Sequence, residues 1–359
     1  MNKIKAMNKT AQSNFLNYII VTVAFLILQT LMSGGQLSSS LKGQLVPICA
    51  YIVMAVSLNL TVGILGELSL GHAGFMSVGA FAGVVVSASL KDIIAFSPLR
   101  LAVAMLAGGI VAGLSSLLVG VPVLRLRGDY LAIVTLAFGE IVKNVVNCLY
   151  VGVDVNGLHL SMTDSASLGL ADGGTVIMNG PMGAVGVTKI STFVMGYLLV
   201  IVTLIIGQNL INSRSGRAIM ALRDNRIAAE SLGINITKYK LMAFSTSAVL
   251  AGMAGVLFAM NYSTVVAKKF DFNTSILVLV FVVLGGMGNI RGSIIAAAVL
   301  TVLPEMLRSF SDYRMLVYAM VLIAVMLLTN GEKGRRLLGQ LKEKVAIKKL
   351  AHKEDAQNG

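Results

Sequence analysis

The chain has 359 residues, of which 56% are hydrophobic and 13% charged, about half the roughly 25% charged share of soluble globular proteins, so an ordinary soluble domain is excluded. With a mean hydropathy of +0.83, the net charge of +13 speaks for orientation in a membrane rather than for a nucleic-acid partner. Cys49 and Cys148 stand alone in apolar runs, which indicates neither a disulfide framework nor a metal site and reads as two small buried hydrophobes.

Residues 1–14 form an N-tail carrying Lys3, Lys5 and Lys9, followed by the apolar run Phe15 to Met32. That run is longer than a signal-peptide core and is read as an uncleaved first span. Further runs fall at Leu45 to Leu65, His72 to Leu90, Leu101 to Leu124, Tyr130 to Val151, Thr192 to Leu210, Leu241 to Met260, Ser275 to Gly285, Gly292 to Leu307 and Met315 to Thr329. At about 20 residues per crossing, this predicts an all-α polytopic membrane protein of about ten spans, with eight to eleven allowed. Ser275 to Gly285 is short enough to be half of a broken helix. The membrane domain then occupies residues 15–329, and a basic tail fills 330–359. In that tail Leu338, Leu341 and Val345 have helical spacing near four lysines, which suits either an interfacial helix on anionic lipid or a solvated tail.

A ten-span layout with both termini in the cytoplasm places 20 Lys and Arg on the cytoplasmic side and eight on the other, with Lys143 inside a span. This is the asymmetry that the positive-inside rule requires. The longest outer segment, 154–191, is rich in Gly, Ser, Thr and Asp with little helical periodicity, as expected of a solvated connector or a docking surface.

Three stretches carry chemistry. In Ser57 to Gly83 six glycines interrupt an apolar sequence that also holds Asn59, Glu67 and His72. Glycine at this density serves close helix contact, as Gly79 and Gly83 would at their spacing of four, or a broken helix lining a cavity. Glu67 is costly at membrane depth unless paired or wet, and it could equally sit in a cytoplasmic turn. His72 has no neighbouring ligand type and reads as a hydrogen-bonded structural residue. In Gly128 to Val151, Glu140, Lys143, Asn144 and Asn147 share one helical face, which either lines a pore or holds an internal ion pair. The third stretch is the cytoplasmic loop 212–240. Ala218 to Leu232 suits one short amphipathic helix with Ile219, Leu222, Ile227 and Leu232 apolar and Gly233 as its stop. Such a helix can dock in a groove of a soluble partner, or the loop can simply fix topology.

That loop is similar to the coupling segment of ABC importer permeases: their Glu-Ala-Ala-x-x-x-Gly pattern aligns with Ile227, Ala228, Ala229 and Gly233, with Ile227 in place of the leading Glu. Together with the glycine stretch, GDYLAIVTLAFGEIVK from Gly128, ALRDNRIAAESLGIN from Ala221 and VVLGGMGNIRGSIIAA from Val282, the chain resembles the LivM-type permease subunits of branched-chain amino acid ABC importers over about residues 45 to 330. The resemblance implies a non-enzymatic subunit of a bacterial inner-membrane importer for leucine, isoleucine and valine. It further implies a homologous second permease, two ATPase subunits and a periplasmic or surface-tethered binding protein.

No Gly-x-x-x-x-Gly-Lys-[Ser/Thr] occurs, so ATP and magnesium are expected on the partner subunits and no cofactor on this one. Arg223, Asp224, Arg226, Ala228, Ala229, Glu230 and Gly233 would couple to the ATPases. Asn59, Glu67, His72, Glu140, Lys143 and Asn144 are candidates for the translocation path. The rivals are a related urea, amide or other amino-acid importer, an ion-driven secondary transporter using Glu140 and Lys143, and an intramembrane enzyme. The enzyme fares worst, because no His-Glu-x-x-His or Gly-x-Ser-x-Gly occurs. A loose likeness between Leu65 to Gly74 and Leu284 to Gly292 hints at two related halves.

Overall fold

The computed structural model describes residues 9–35, 38–124, 130–154, 157–171 and 173–307, with isolated positions between 313 and 323. Helices α1 (Lys9–Ser33), α2 (Ser39–Asn59), α3 (His72–Ser89), α4 (Ser97–Val123) and α5 (Tyr130–Asn147) come first. Strands β1 (Tyr150–Asp154), β2 (Gly157–Ser161), β3 (Thr175–Asn179) and β4 (Ala184–Val185) follow. Then come α6 (Phe193–Asn212), α7 (Arg214–Asp224), α8 (Arg226–Ser231), α9 (Ile236–Ala259), β5 (Thr264–Val265), α10 (Phe272–Gly285) and α11 (Ile290–Met306).

Among the described residues, seven helices, α1 to α6 and α9, are long and apolar enough to cross a membrane. α10 and α11 have 14 and 17 residues, short of the roughly 20 that a full crossing needs, and the turn Gly286 to Asn289 separates them. The run Met315 to Thr329, the basic tail 330–359, residues 1–8 and Arg125 with Arg127 lie outside the described residues, isolated positions apart.

The core is a bundle in which α2, α3, α4 and α9 pack together. α2 is buried almost all round, and Leu58, Met54 and Val53 are fully buried within it. Glycine sets the spacing of the other three. A Cβ at Gly79 of α3 would lie 2.3 Å from the Gly252 Cα of α9, and one at Gly108 of α4 would lie 2.6 Å from the Gly79 carbonyl oxygen. Backbones this close gain dispersion contacts that larger side chains would forbid, and inside a membrane such contacts are a main source of helix association.

The all-α expectation needs correction in the segment expected to lie on the outer side. Residues 150–185, with Thr264 and Val265, build a five-stranded antiparallel sheet in the order β2-β1-β3-β4-β5. It is a packed cap rather than a solvated connector, for Val151, Leu168, Ile177, Met178 and Ala184 are all buried. Asp154 fastens it: one carboxylate oxygen accepts from the Gly157 amide at 3.1 Å and the other from the Ala171 amide at 3.0 Å. The predicted span Tyr130 to Val151 therefore ends at Asn147, and β1 begins at Tyr150. Alternation was hard to read because each strand is five residues or fewer and glycine interrupts the pattern.

Candidate functional site

Two glycine-rich interruptions meet inside the bundle. The first follows α2, whose last turn, Leu60–Leu65, has π-helical bonding. Gly66 then takes a left-handed φ of +79°, a conformation that costs a residue with a Cβ about a kcal/mol or more, and the chain runs irregularly to His72. The second interruption is Gly286 to Asn289. Asn59 joins the two: its Oδ1 accepts from the Gly288 amide at 2.8 Å, and its Nδ2 donates to Ser293 Oγ of α11 at 3.0 Å. The loose likeness between these stretches thus corresponds to a physical juxtaposition.

The irregular segment 66–71 has few backbone partners of its own and borrows them. The Leu70 amide donates to Thr135 Oγ1 of α5 at 3.2 Å, and Ala73, in the first turn of α3, donates to Ser275 Oγ of α10 at 3.1 Å. His72 is buried, with Nε2 sharing a 2.8 Å hydrogen bond with Ser57 Oγ. Ser57 in turn receives Ser247 Oγ of α9 on its carbonyl at 2.6 Å. Asn59 and His72 therefore serve as buried struts between helices. Glu67 is paired with Lys240 of α9. The helix α9 begins at Ile236, earlier than the apolar run from Leu241, so Lys240 belongs to a helix rather than to the loop before it, and burial of its stem brings the ammonium to Glu67.

The loop expected to form one amphipathic helix over Ala218 to Leu232 is instead a helical hairpin, α7 and α8. Asn225 breaks it: its backbone is extended and its side chain caps α8 by accepting from the Ala228 amide at 3.0 Å. Asn competes with helix propagation by making this bond. The break splits the apolar face. Ile219 and Leu222 point inward, whereas Ile227 and Leu232 are 79% and 83% exposed. Ala229 is buried against Leu222 and Ile236. Among the other coupling candidates, Asp224, Ala228 and Glu230 are exposed and Arg226 is half-buried. Gly233, at φ +81°, terminates the hairpin as its position predicted.

The polar stripe of α5 lies beside its packed face. Thr135, Val142 and Val146 are buried, Lys143 is paired with Glu140, and Asn144 is exposed, as are Ile133, Ile141 and Val145 of the same helix. A groove of about 430 Å³ runs between α3, α5 and the sheet, lined by Phe81, Ile141, Val145, Leu149 and Leu160 among others. Among the described residues, no cluster of three or more His, Cys, Asp or Glu side chains is placed to hold a metal ion. The interhelical struts Ser57, Ser247, Thr135 and Ser293 escaped sequence reasoning, since a serine or threonine in an apolar helix carries no signal of its partner.

The family described as branched-chain amino acid transport system / permease component matches residues 40–328. The chain is 36% identical over 287 residues to the high-affinity branched-chain amino acid transport permease LivM of Salmonella typhimurium and, to the same extent, to that of Escherichia coli K12. Each match covers 77% of this chain and 66% of the relative, so the chain spans just under two thirds of the length of these two proteins. It is also 29% identical over 126 residues to the LivH permease of Escherichia coli K12, across 34% of this chain and 41% of that one. No solved structure matches the chain. With seven apolar helices and a family match over most of its length, this multi-pass membrane protein belongs to the permease components of the branched-chain amino acid transport systems.

Proposed function

We propose that the chain is a transmembrane subunit of an ATP-binding cassette importer of the bacterial inner membrane, and that it moves leucine, isoleucine and valine by alternating access. One observation carries this reading: within the span of the family match, an exposed helical hairpin, α7–α8, is bonded directly onto a glycine-broken span. An ATPase could grip such a hairpin, and the broken span could yield. Ile227 and Leu232, exposed on α8, are the knobs for a groove on the ATPase. ATP and magnesium belong to that partner, because this chain has no phosphate-cradling glycine loop with its lysine.

A second, homologous permease docks on the unpacked face of α5. An ion pair and an asparagine on a membrane helix are costly against lipid and must meet protein or water, and the apolar residues around them supply the rest of a helix interface. The likeness to both LivM and LivH fits such a pairing. The aqueous path then runs along the seam at Glu140, Lys143 and Asn144. In the full layout both termini are cytoplasmic and there are ten crossings, α10 and α11 counting as one each and the apolar run Met315 to Thr329 as the tenth. An external binding protein delivers the amino acid to the sheet-capped face, so the path itself needs only weak contacts.

Vesicles reconstituted with this subunit, the second permease, the ATPases and a candidate receptor test the reading directly. ATP-dependent accumulation of leucine but not of urea is the expected result. Uptake by this subunit alone, driven by an ion gradient, would overturn it in favour of a secondary transporter.

A further inference from the structure

Arg223, at the end of α7, reaches across to the first break. Its Nη1 donates to the carbonyl oxygen of Gly63 at 2.9 Å, inside the π-helical turn Leu60–Leu65, while Nε and Nη2 both contact Asp224 Oδ1 at 3.0 Å. The stem of Arg223 lies over Gly66, where a Cβ would be 2.6 Å from its Cγ. On its other side Gly63 abuts the second break: a Cβ there would lie 1.9 Å from Asn59 Oδ1 and 2.2 Å from the Gly288 nitrogen. Asn59 continues the chain of contacts by holding Gly288 and Ser293. One unbroken series of direct contacts therefore runs from the α7–α8 hairpin through both glycine breaks to the start of α11.

We propose that Arg223 is a positioning residue whose bond to Gly63 carries movement of the hairpin into both breaks, with Asn59 as the second link. The inference rests on the reading of the chain as a transporter subunit, but not on which amino acid is carried. Three physical features favour it over a simple staple. The bond ends on a π-helical turn, an interruption of the regular helical ladder of the kind at which helices bend. The bond is accepted by a backbone carbonyl rather than by a side chain, so displacement of Gly63 displaces the main chain. No slack is available at the next link, because glycine backbone meets glycine backbone there.

The test reads movement at the second break, independently of uptake. Met287 is 64% exposed between Gly286 and Gly288. In the assembled complex, with Cys148→Ser to remove a native thiol that is exposed rather than buried as its apolar run suggested, the variant Met287→Cys is labelled with a maleimide in the presence of ADP and of ATP under turnover. The expected result is a labelling rate that depends on the nucleotide. Arg223→Met, which keeps the stem over Gly66 and removes the donor, should abolish that dependence. Asn59→Ala should do the same, and Arg223→Lys, which restores a donor, should recover part of it.

Uptake per ATP hydrolysed should fall by at least about tenfold in either loss variant, and by no more in the double variant, as expected of two links in one series. Labelling that ignores the nucleotide in the otherwise unaltered complex, or a dependence that survives Arg223→Met, would overturn the proposal. So would losses that multiply in the double variant. A complex that shows nucleotide-dependent labelling but accumulates none of the branched-chain amino acids would instead overturn the substrate assignment and leave the relay standing.

Discussion

α2 and α5 are both apolar helices of spanning length, yet they live in opposite surroundings. In α2 and the π-helical turn that extends it, 94% of the most apolar stretch is buried inside this chain, against 28% for α5. α2 spends its surface on α6, α9 and α10, with Asn59 bridging to the second break, and from Leu45 onward it leaves almost nothing exposed. α5 packs one narrow face on α3 and keeps an ion pair, an asparagine and a row of branched apolar residues uncommitted. In a soluble protein burial would mark the difference between core and water; in a membrane it marks the difference between a helix that has found its neighbours and one that still requires them.

The largest effect is expected where the committed region is disturbed. Gly79→Leu would drive a side chain into the backbone of Gly252, and nothing nearby can yield, so a loss of about 3 kcal/mol or more is expected. Thermal unfolding in detergent, followed by size exclusion, should show little folded monodisperse protein. If Gly79→Leu unfolds at the unaltered temperature, the close packing of α3, α4 and α9 is wrong.

On the uncommitted helix the effect should fall on association instead. Ile141→Arg is expected to leave the unfolding temperature nearly unchanged while reducing co-purification of the second permease about tenfold or more, the scale of an interfacial hot spot. The reverse pattern, lost stability with intact pairing, would mean that α5 is a structural helix of this chain. Lys143→Met should resemble Ile141→Arg more than Gly79→Leu, because the carboxylate of Glu140 would then face the seam without its cation.

A smaller, local effect is predicted in the sheet cap. Asp154→Ala leaves the Gly157 and Ala171 amides without their carboxylate acceptor, which should cost about 1–3 kcal/mol. Amide hydrogen exchange should quicken in β1 and β2 and remain slow in α2 and α9; equal acceleration everywhere would argue against a separately fastened cap. Smallest of all for stability is Ile227→Ala with Leu232→Ala, expected within about ±0.5 kcal/mol because both side chains are exposed. Their effect should appear as weaker capture of the ATPase subunits.

The helical hairpin illustrates what a linear pattern can and cannot give. Ile219, Leu222, Ile227 and Leu232 fit one apolar face only if the helix is continuous, and Asn225 interrupts it. An Asn in mid-pattern is compatible with a helix or with a cap, and the choice is made by whether Ala229 finds a pocket against Leu222 and Ile236. Glu67 poses the same problem at longer range. Its chemistry was plain, a carboxylate that needs a partner, but Lys240 lies 173 residues away.

The sequence by itself determined that the chain is a membrane protein, where most of its helices run, that Gly79 is a contact glycine and that two glycine-rich stretches interrupt apolar segments. It also carried the family. These are properties of composition and of local periodicity, and the hydrophobic solvent enforces them residue by residue. Tertiary structure alone decided that residues 150–185 build a sheet, that Arg223 reaches Gly63, that Asn59 closes one break upon the other and that α5 is left half-dressed. Each of these depends on which backbones come within a few ångströms of one another, a matter settled by packing between distant segments and not written in any one of them.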